Sequence, residues 1–154
     1  MIYNIVTIIK YISTNYYRFG GCLMQINITT DYAIRAVLQL AKTNELLSTT
    51  KIAEEMNIPG NYLPSIIQKL REAGIVSVKR GAKGGSCLAR PASEISLFEV
   101  IDAMENTTRI NRCLEEDAYC SHGAAEDCKI HLAYEKVQDY FDNCLKGISF
   151  TDLL

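Results

Sequence analysis

The sequence predicts a mainly α-helical protein with one small β-hairpin, in which a winged helix-turn-helix domain precedes a long C-terminal dimerisation helix. One observation is a pair of short amphipathic segments joined by the turn-forming run 57–61 and followed by a hairpin with a basic, glycine-rich tip. The other is the last helix, where apolar residues recur at alternating spacings of four and three, the heptad pattern of helices that pack together. These residues are Ile130, Tyr134, Val137, Phe141, Cys144 and Ile148.

Composition excludes several classes of protein. The chain of 154 residues is 48% hydrophobic and 22% charged, which is typical of a globular protein. No run approaches the ~20 apolar residues of a membrane-spanning helix. The apolar run 5–9 is broken by Lys10 and no cleavage-type sequence follows it. We therefore expect a cytoplasmic protein without membrane association.

Charge divides the chain into unlike parts. Residues 24–91 carry nine Lys and Arg against five Asp and Glu, a net charge of +4, whereas residues 92–154 carry five against thirteen, a net charge of −8. We expect 24–91 to be a domain that meets a polyanion and 92–154 to hold a loop and the dimerisation helices. Two differently solvated surfaces are the alternative.

Because residues 1–23 precede a second methionine, Met24, we interpret them as the product of an upstream start codon, the alternative being a weakly ordered extension.

The first helices follow from capping residues and apolar spacing. One of the residues Thr29–Asp31 is expected to cap the first helix, which runs to about Lys42, and Ser48 is expected to cap the second. Asn61 is the expected cap of the third helix. Pro64 is tolerated there because first-turn N–H groups have no partner inside a helix.

The rest of the chain is predicted to form a hairpin, a short helix, a loop and the long helix. The third helix ends at Gly74, and the β-branched run 75–79 pairs with 86–89. Ser96 and Glu99 form a capping box for the fourth helix. Residues 107–127 are polar and without period, so we expect a loop, and 127–147 is the last helix. Cys144 in its heptad seam is expected to be buried.

The second and third helices with the hairpin have the order of a winged DNA-binding motif. The turn 57–61 sets the third helix at a steep angle, so that its N-terminal end can enter a major groove. Glycines in the hairpin tip let cations approach phosphates closely. An α/β domain with an exposed basic turn is the alternative. The predicted DNA-contacting residues are Asn61, Tyr62, Ser65, Gln68 and Lys69 on the helix, and Lys79, Arg80 and Lys83 on the hairpin.

Six cysteines in a chain without an export signal favour metal or redox chemistry over a disulfide framework. Cys113, Cys120 and Cys128 are separated by six and seven residues, and His131 follows at the start of the last helix. Thiolates so close along the chain can converge on one iron or zinc site. A structural zinc site and incidental loop cysteines are alternatives, and His122 is a weaker candidate ligand.

Specific motifs extend from Met24 to Leu154: Met24–Val37, Tyr62-Leu63, Leu70–Val76, Arg80–Gly85, Ile95–Met104 and Ile148–Leu154. With these motifs the chain resembles the Rrf2 type of bacterial repressors, which includes IscR and NsrR. The resemblance implies a homodimeric winged-helix transcriptional regulator that binds a double-stranded DNA operator and dimerises through its long C-terminal helix. Pro64 stands where IscR-like members have a base-contacting glutamate, so operator preference does not carry over.

The same resemblance implies an iron–sulfur cluster bound by Cys113, Cys120 and Cys128, although the spacings are about one or two residues longer than is typical of the family. His131 stands in the place of the IscR-like histidine. Asp31 stands where NsrR-like members supply a carboxylate from the partner chain. We prefer His131 as the fourth ligand because nitrogen suits iron–sulfur chemistry better than a hard carboxylate. A [2Fe–2S] cluster is favoured over [4Fe–4S].

The leading hypothesis is a transcriptional regulator whose operator affinity is controlled by an iron–sulfur cluster that senses iron–sulfur status, redox state or nitric oxide. The alternative is a non-sensing or zinc-binding winged-helix regulator that acts with a protein partner. An enzyme is disfavoured, since the chain has no C-x-x-C pair, nucleotide-binding glycine loop or plausible acid–base dyad.

Overall fold

A computed structural model of the protein describes residues 25–81, 84–117, 119–121, 123 and 128–154. The elements in chain order are α1 (Ile28–Thr43), α2 (Thr49–Met56), α3 (Leu63–Glu72), β1 (Val76–Lys79), β2 (Gly85–Leu88), α4 (Leu97–Met104) and α5 (Lys129–Lys146). Short 3-10 turns lie at Ala92–Glu94, Arg112–Leu114 and Phe150–Leu153. The predicted winged helix-turn-helix architecture is confirmed. The segment 1–23 and the candidate residues Lys83 and His122 lie outside the described residues.

The start of α1 differs from the prediction, whereas that of α2 agrees with it. Asn27, and not a residue of Thr29–Asp31, caps α1, because its backbone is extended and its side-chain oxygen accepts a first-turn N–H at 3.0 Å. Ser48 caps α2 as predicted by accepting the N–H of Lys51 at 3.2 Å. Asn57 then adopts a left-handed conformation, with φ of 51°, and ends the helix.

Helix α3 begins without the predicted polar cap. Its cap position is Tyr62, one residue after Asn61, and no side chain accepts a first-turn N–H. The Tyr62 ring packs edge-on against Tyr32 with ring centroids 5.4 Å apart. Pro64 in the first turn removes one unpaired donor. An aromatic contact therefore fixes this helix start, while Gly74, with φ of 69°, ends it as predicted.

The hairpin wing is attached to the helices at its base. β1 pairs antiparallel with β2, and Lys79 lies opposite Gly85 at the tip. Leu47, between α1 and α2, exchanges two backbone hydrogen bonds with Ser86, at 2.9 and 2.7 Å. A Cβ at Gly85 would lie 2.5 Å from the Leu47 carbonyl oxygen, so glycine is required for this approach.

One apolar core joins residues on both sides of position 91. The predicted capping box of Ser96 and Glu99 is confirmed at the start of α4. The C-terminus returns to this point, where the Phe150 N–H donates to the Ile95 carbonyl at 3.0 Å. The fully buried side chains include Leu40, Leu63, Leu70, Ile95, Val100 and Phe150.

Helix α5 exposes apolar residues and buries polar ones. Within this chain Ile130 and Val137 are 63% and 53% exposed, and Cys144 is exposed and not buried as expected. The buried residues of α5 are Gln138 and Asp142. Of the predicted heptad seam, Ile130, Val137 and Cys144 are therefore exposed in this chain, while Tyr134, Phe141 and Ile148 are half-buried. No described helix is both long and apolar enough to cross a bilayer.

Candidate functional site

Predicted DNA-contacting residues on and just before α3 are exposed to solvent. Asn61, Ser65 and Gln68 are all exposed. The Ser65 hydroxyl donates to the carbonyl of Tyr62 at 2.9 Å, and the Gln68 amide donates to the carboxylate of Glu72. Both bonds lie within one helix, so these side chains can exchange them for base edges while α3 stays folded.

Two other predicted DNA-contacting residues make contacts inside the protein. Tyr62 is half-buried against Tyr32. The ammonium group of Lys69 donates to the carbonyl of Met104 at 2.9 Å, at the C-terminal end of α4. A cation there satisfies a terminal carbonyl and interacts favourably with the helix dipole. Lys69 thus links the recognition helix to α4, a contact that the sequence pattern did not predict.

The wing carries exposed cations around a tight turn. Lys79 and Arg80 are exposed, and neither takes part in an ion pair among the described residues. The Gly84 N–H donates to the carbonyl of Gly81 at 2.9 Å, and Gly81 has a φ of 117° that favours glycine. Positive charge without an internal partner is available to phosphates. Lys83, the third predicted cation of the wing, lies outside the described residues.

Cys113, in the first part of the cysteine loop (residues 107–128), lies beside His131 of α5. The Cys113 sulfur lies 3.5 Å from Nδ1 of His131. Cys113 belongs to the 3-10 turn that Asn111 caps, with the Asn111 side-chain oxygen accepting the Cys113 N–H at 3.2 Å. Both residues line an open cleft of about 560 Å³ between the loop and α5. The structure therefore brings together two of the four predicted ligands.

The second nitrogen of the His131 ring has its own partner. Nε2 lies 3.3 Å from a carboxylate oxygen of Glu135, one turn further along α5. A carboxylate only accepts, so a proton on Nε2 suits this contact and leaves the lone pair of Nδ1 directed toward Cys113. A carboxylate behind a histidine is the usual support for a metal ligand.

The remaining predicted ligands are not gathered around this pair. Cys128 is the cap residue of α5 and Cys120 is half-buried in the loop. Asp31, the alternative fourth ligand, forms an ion pair with Arg35 on α1. Within the part of the chain that is described, no three His, Cys, Asp or Glu side chains lie close enough together to hold a metal ion.

Sequence reasoning missed the polar network that holds the cysteine loop on α5. Gln138 is 3% exposed, and its side-chain amide bonds both to the loop backbone and to Asp142. The sequence did contain a pattern that could have predicted a polar face on α5. His131, Glu135, Gln138 and Asp142 recur at spacings of four, three and four. This polar stripe runs beside the apolar seam and faces the chain's own loop.

The family model of Rrf2, described as an iron-dependent transcriptional regulator, matches residues 26–154. This chain belongs to the Rrf2 family. A relative in Rhizobium meliloti, protein aau3, is 33% identical over 133 residues, covering 85% of this chain and 85% of that protein. The protein is therefore a DNA-binding transcriptional regulator and not an enzyme.

Solved structures agree with this assignment. IscR of T. potens has a TM-score of 0.64 at 25% sequence identity, covering 84% of this chain and 85% of that chain. CymR, the global cysteine regulator of B. subtilis, has a TM-score of 0.67 at 24% identity, covering 84% of this chain and 95% of that chain. The similarity to CymR concerns the fold alone.

Proposed function

We propose that this Rrf2 protein is a cytoplasmic homodimer whose affinity for its operator is controlled by an iron–sulfur cluster bound by Cys113, Cys120, Cys128 and His131. The observation that carries the proposal is the 3.5 Å approach of the Cys113 sulfur to His131 Nδ1 beside an open cleft. The iron-dependent description of the family and the similarity to IscR support iron as the metal.

The donor set suits such a group. Thiolates hold iron–sulfur clusters, and histidine replaces cysteine in some of them. His131 is oriented by Glu135 with Nδ1 toward Cys113, and Cys128 lies one turn before His131 at the cap of α5. When bound, the cluster supplies an oxidant-sensitive, redox-active centre, for which we favour the [2Fe–2S] type. Asp31 is the less supported fourth ligand, since Arg35 pairs with it.

Operator binding is assigned to α3 and the wing. Ser65 and Gln68 are the residues proposed to contact base edges, because they are exposed on the polar face of α3. Lys79, Arg80 and Lys83 are proposed to contact phosphates, which fixes the position of the protein on the duplex without specifying sequence.

Control of DNA binding is proposed to pass through α5. The cysteine loop connects α4 to α5, and α5 exposes the apolar seam that a second copy is proposed to cover. A change in the loop can then alter how the two recognition helices of the dimer are spaced. Ligand state shifts operator affinity only to the extent that it favours one arrangement over the other.

A zinc-binding or metal-free regulator that acts with a protein partner is the second candidate. One observation favours it: no three potential ligands lie close together within the described ranges. In this case Cys113 and His131 form a thiol–imidazole pair, and the thiol itself is the responsive group.

The deciding experiment is anaerobic purification followed by analysis of iron, zinc and sulfide and by operator titration on the same sample. We expect stoichiometric iron and sulfide, visible cluster absorption, and an operator affinity that changes when the cluster is removed by a chelator. Zinc without sulfide would establish the second candidate. A metal-free protein whose operator affinity does not change on chelator treatment would establish it as well.

Single cysteine variants connect the metal to the loop. Cys113→Ala, Cys120→Ala and Cys128→Ala should each abolish cluster binding and leave the far-UV circular dichroism spectrum unchanged, because all three residues lie outside the apolar core. Cys87→Ala and Cys144→Ala are matched controls on β2 and α5 that should retain the cluster. Loss of iron from the control variants as well would contradict the assignment of ligands.

A further inference from the structure

We propose that Gln138 is the positioning residue of the cysteine loop. Its buried amide fixes residues 108–110 on α5 and thereby sets the approach of Cys113 to His131. The inference deepens the proposed function and rests on it for the role of that pair. Gln138 forms no hydrogen bond with either side chain of the pair, so its effect is transmitted through the loop backbone.

The Gln138 amide uses its hydrogen-bonding groups on the loop. Its side-chain oxygen accepts the N–H of Ile110 at 2.8 Å. Its side-chain nitrogen donates to the carbonyl of Thr108 at 3.1 Å and to a carboxylate oxygen of Asp142 at 2.7 Å. One amide thus bonds to a backbone C=O and a backbone N–H two residues apart in the loop.

Asp142 completes the network. It is 9% exposed and receives the Gln138 amide from its own helix. From the loop side it faces Arg109, whose guanidinium nitrogen lies 3.6 Å from its second oxygen. Among the described residues no buried side-chain nitrogen or oxygen lacks a partner. Removing one member of such a network leaves the others unpaired, which costs more than the bond itself.

The spacing along α5 explains how this anchor reaches the thiol. Gln138 and His131 are seven residues apart, so they lie two turns apart on the same face. The loop runs in the opposite direction, with Ile110 held at Gln138 and Cys113 at His131. The cap that Asn111 forms on the Cys113 N–H stiffens the short connection between them.

The first test is the substitution Gln138→Leu in metal-free protein. It replaces the polar amide by an apolar side chain of similar size. We expect hydrogen exchange at the Ile110 amide to become about tenfold faster. We also expect alkylation of the Cys113 thiol by iodoacetamide, followed by peptide mass spectrometry, to change rate severalfold. Asn143→Leu is the matched control, since Asn143 is an exposed amide on α5 whose side chain forms no hydrogen bond among the described residues.

If Gln138→Leu does not fold, a pair of variants that exchanges the donor and acceptor groups at positions 138 and 142 tests the same contact. Gln138→Glu removes both amide donors and places a carboxylate beside Asp142, so it should also release the loop. Adding Asp142→Asn restores a donor next to the carboxylate introduced at position 138. The double variant should therefore recover part of the protection at Ile110, whereas a merely disruptive substitution at position 138 is not rescued.

The outcomes separate this inference from the proposed function. Unchanged exchange at Ile110 or unchanged Cys113 alkylation in the folded variants would overturn the role of Gln138, whatever metal the wild type carries. Wild-type protein without iron and sulfide overturns the cluster, while the exchange and alkylation results still decide whether Gln138 positions the loop. In cluster-loaded wild type, we expect Gln138→Leu to accelerate cluster loss to a chelator.

Discussion

The recognition helix α3 and the long helix α5 are both amphipathic, but they turn opposite faces to their own chain. Helix α3 buries Leu63, Ile66, Ile67 and Leu70 and exposes polar residues. Helix α5 buries Gln138 and Asp142 and exposes Ile130 and Val137. The buried side chains of α3 are therefore apolar, whereas those of α5 are polar and hydrogen-bonded.

The two kinds of contact differ in how much they contribute to the free energy of unfolding. Burying a large apolar side chain contributes about 1.5–3 kcal/mol, while a typical hydrogen bond contributes a net of about 0.5–1.5 kcal/mol. The apolar core that includes α3 should therefore carry most of the free energy of unfolding. The contacts of residues 108–113 with α5 can then rearrange at lower cost, which the proposed regulatory role requires.

The largest expected effect is on the apolar core. Leu70→Ala on α3 should lower the free energy of unfolding by about 2–5 kcal/mol, because Leu70 is fully buried and its truncation leaves a cavity. Leu132→Ala on α5 is the matched control, with a side chain that is 50% exposed, and should cost well under half as much. Urea titration followed by circular dichroism measures both. Equal losses would mean that α5 contributes as much to the core as α3.

The exposed seam of α5 should matter for association and not for the fold of one chain. Val137→Asp places a carboxylate in the proposed dimer interface and should weaken association by roughly 2–3 kcal/mol. Sedimentation velocity should show a shift from dimer to monomer, with a parallel loss of operator binding. Lys136→Asp, one position away, should leave the dimer intact. An unchanged sedimentation profile for Val137→Asp means that the dimer interface lies elsewhere.

Substitutions in α3 and in the wing should weaken DNA binding in different ways. Ser65→Ala should cost roughly 1–3 kcal/mol per half-site on the operator and little on scrambled DNA. Arg80→Ala should weaken binding to both duplexes and reduce the salt dependence by about one unit per lost phosphate contact, doubled in a dimer. Anisotropy titrations over a salt series distinguish them. The assignment of helix and wing is wrong if each variant affects both duplexes in the same proportion.

Lys69→Ala sharpens the same comparison. Because its ammonium group bonds to the Met104 carbonyl, we expect the variant to lower stability modestly and to change the salt dependence of DNA binding less than Arg80→Ala does. A full unit of lost salt slope would instead show that Lys69 leaves Met104 to contact a phosphate.

The smallest expected effect is on acid stability. Burial alone would raise the pKa of Glu99, but hydrogen bonds from Ser96 and Arg90 outweigh it and hold the pKa below the usual carboxyl value. The ionised form is thus favoured in the folded state, so its stabilisation is present above the usual carboxyl pKa and is lost as the pH falls through the lowered value. Glu99→Gln should flatten the acid limb of thermal stability, measured by melting temperature against pH.

Local chemistry made much of the winged helix predictable. The Ser48 cap, the Ser96–Glu99 capping box, the Gly74 helix end and the hairpin each depend on residues close together in sequence. The predicted cap of α1 was wrong because several suitable capping residues stand side by side there. At α3 the cap position is Tyr62, which packs on Tyr32, and such a long-range contact is not visible in the local sequence.

The sequence by itself determined that α5 is a long helix with an apolar seam, and it placed three cysteines and His131 close together in the chain. Only the tertiary structure decided which face of α5 turns inward, since a period identifies residues that share a face but not their neighbours. Gln138 meets Ile110 across 28 residues, and Lys69 meets Met104 across 35. Contacts of this kind depend on the folded path of the chain, so a periodic pattern can mark Gln138 as part of a polar stripe but cannot identify its partner.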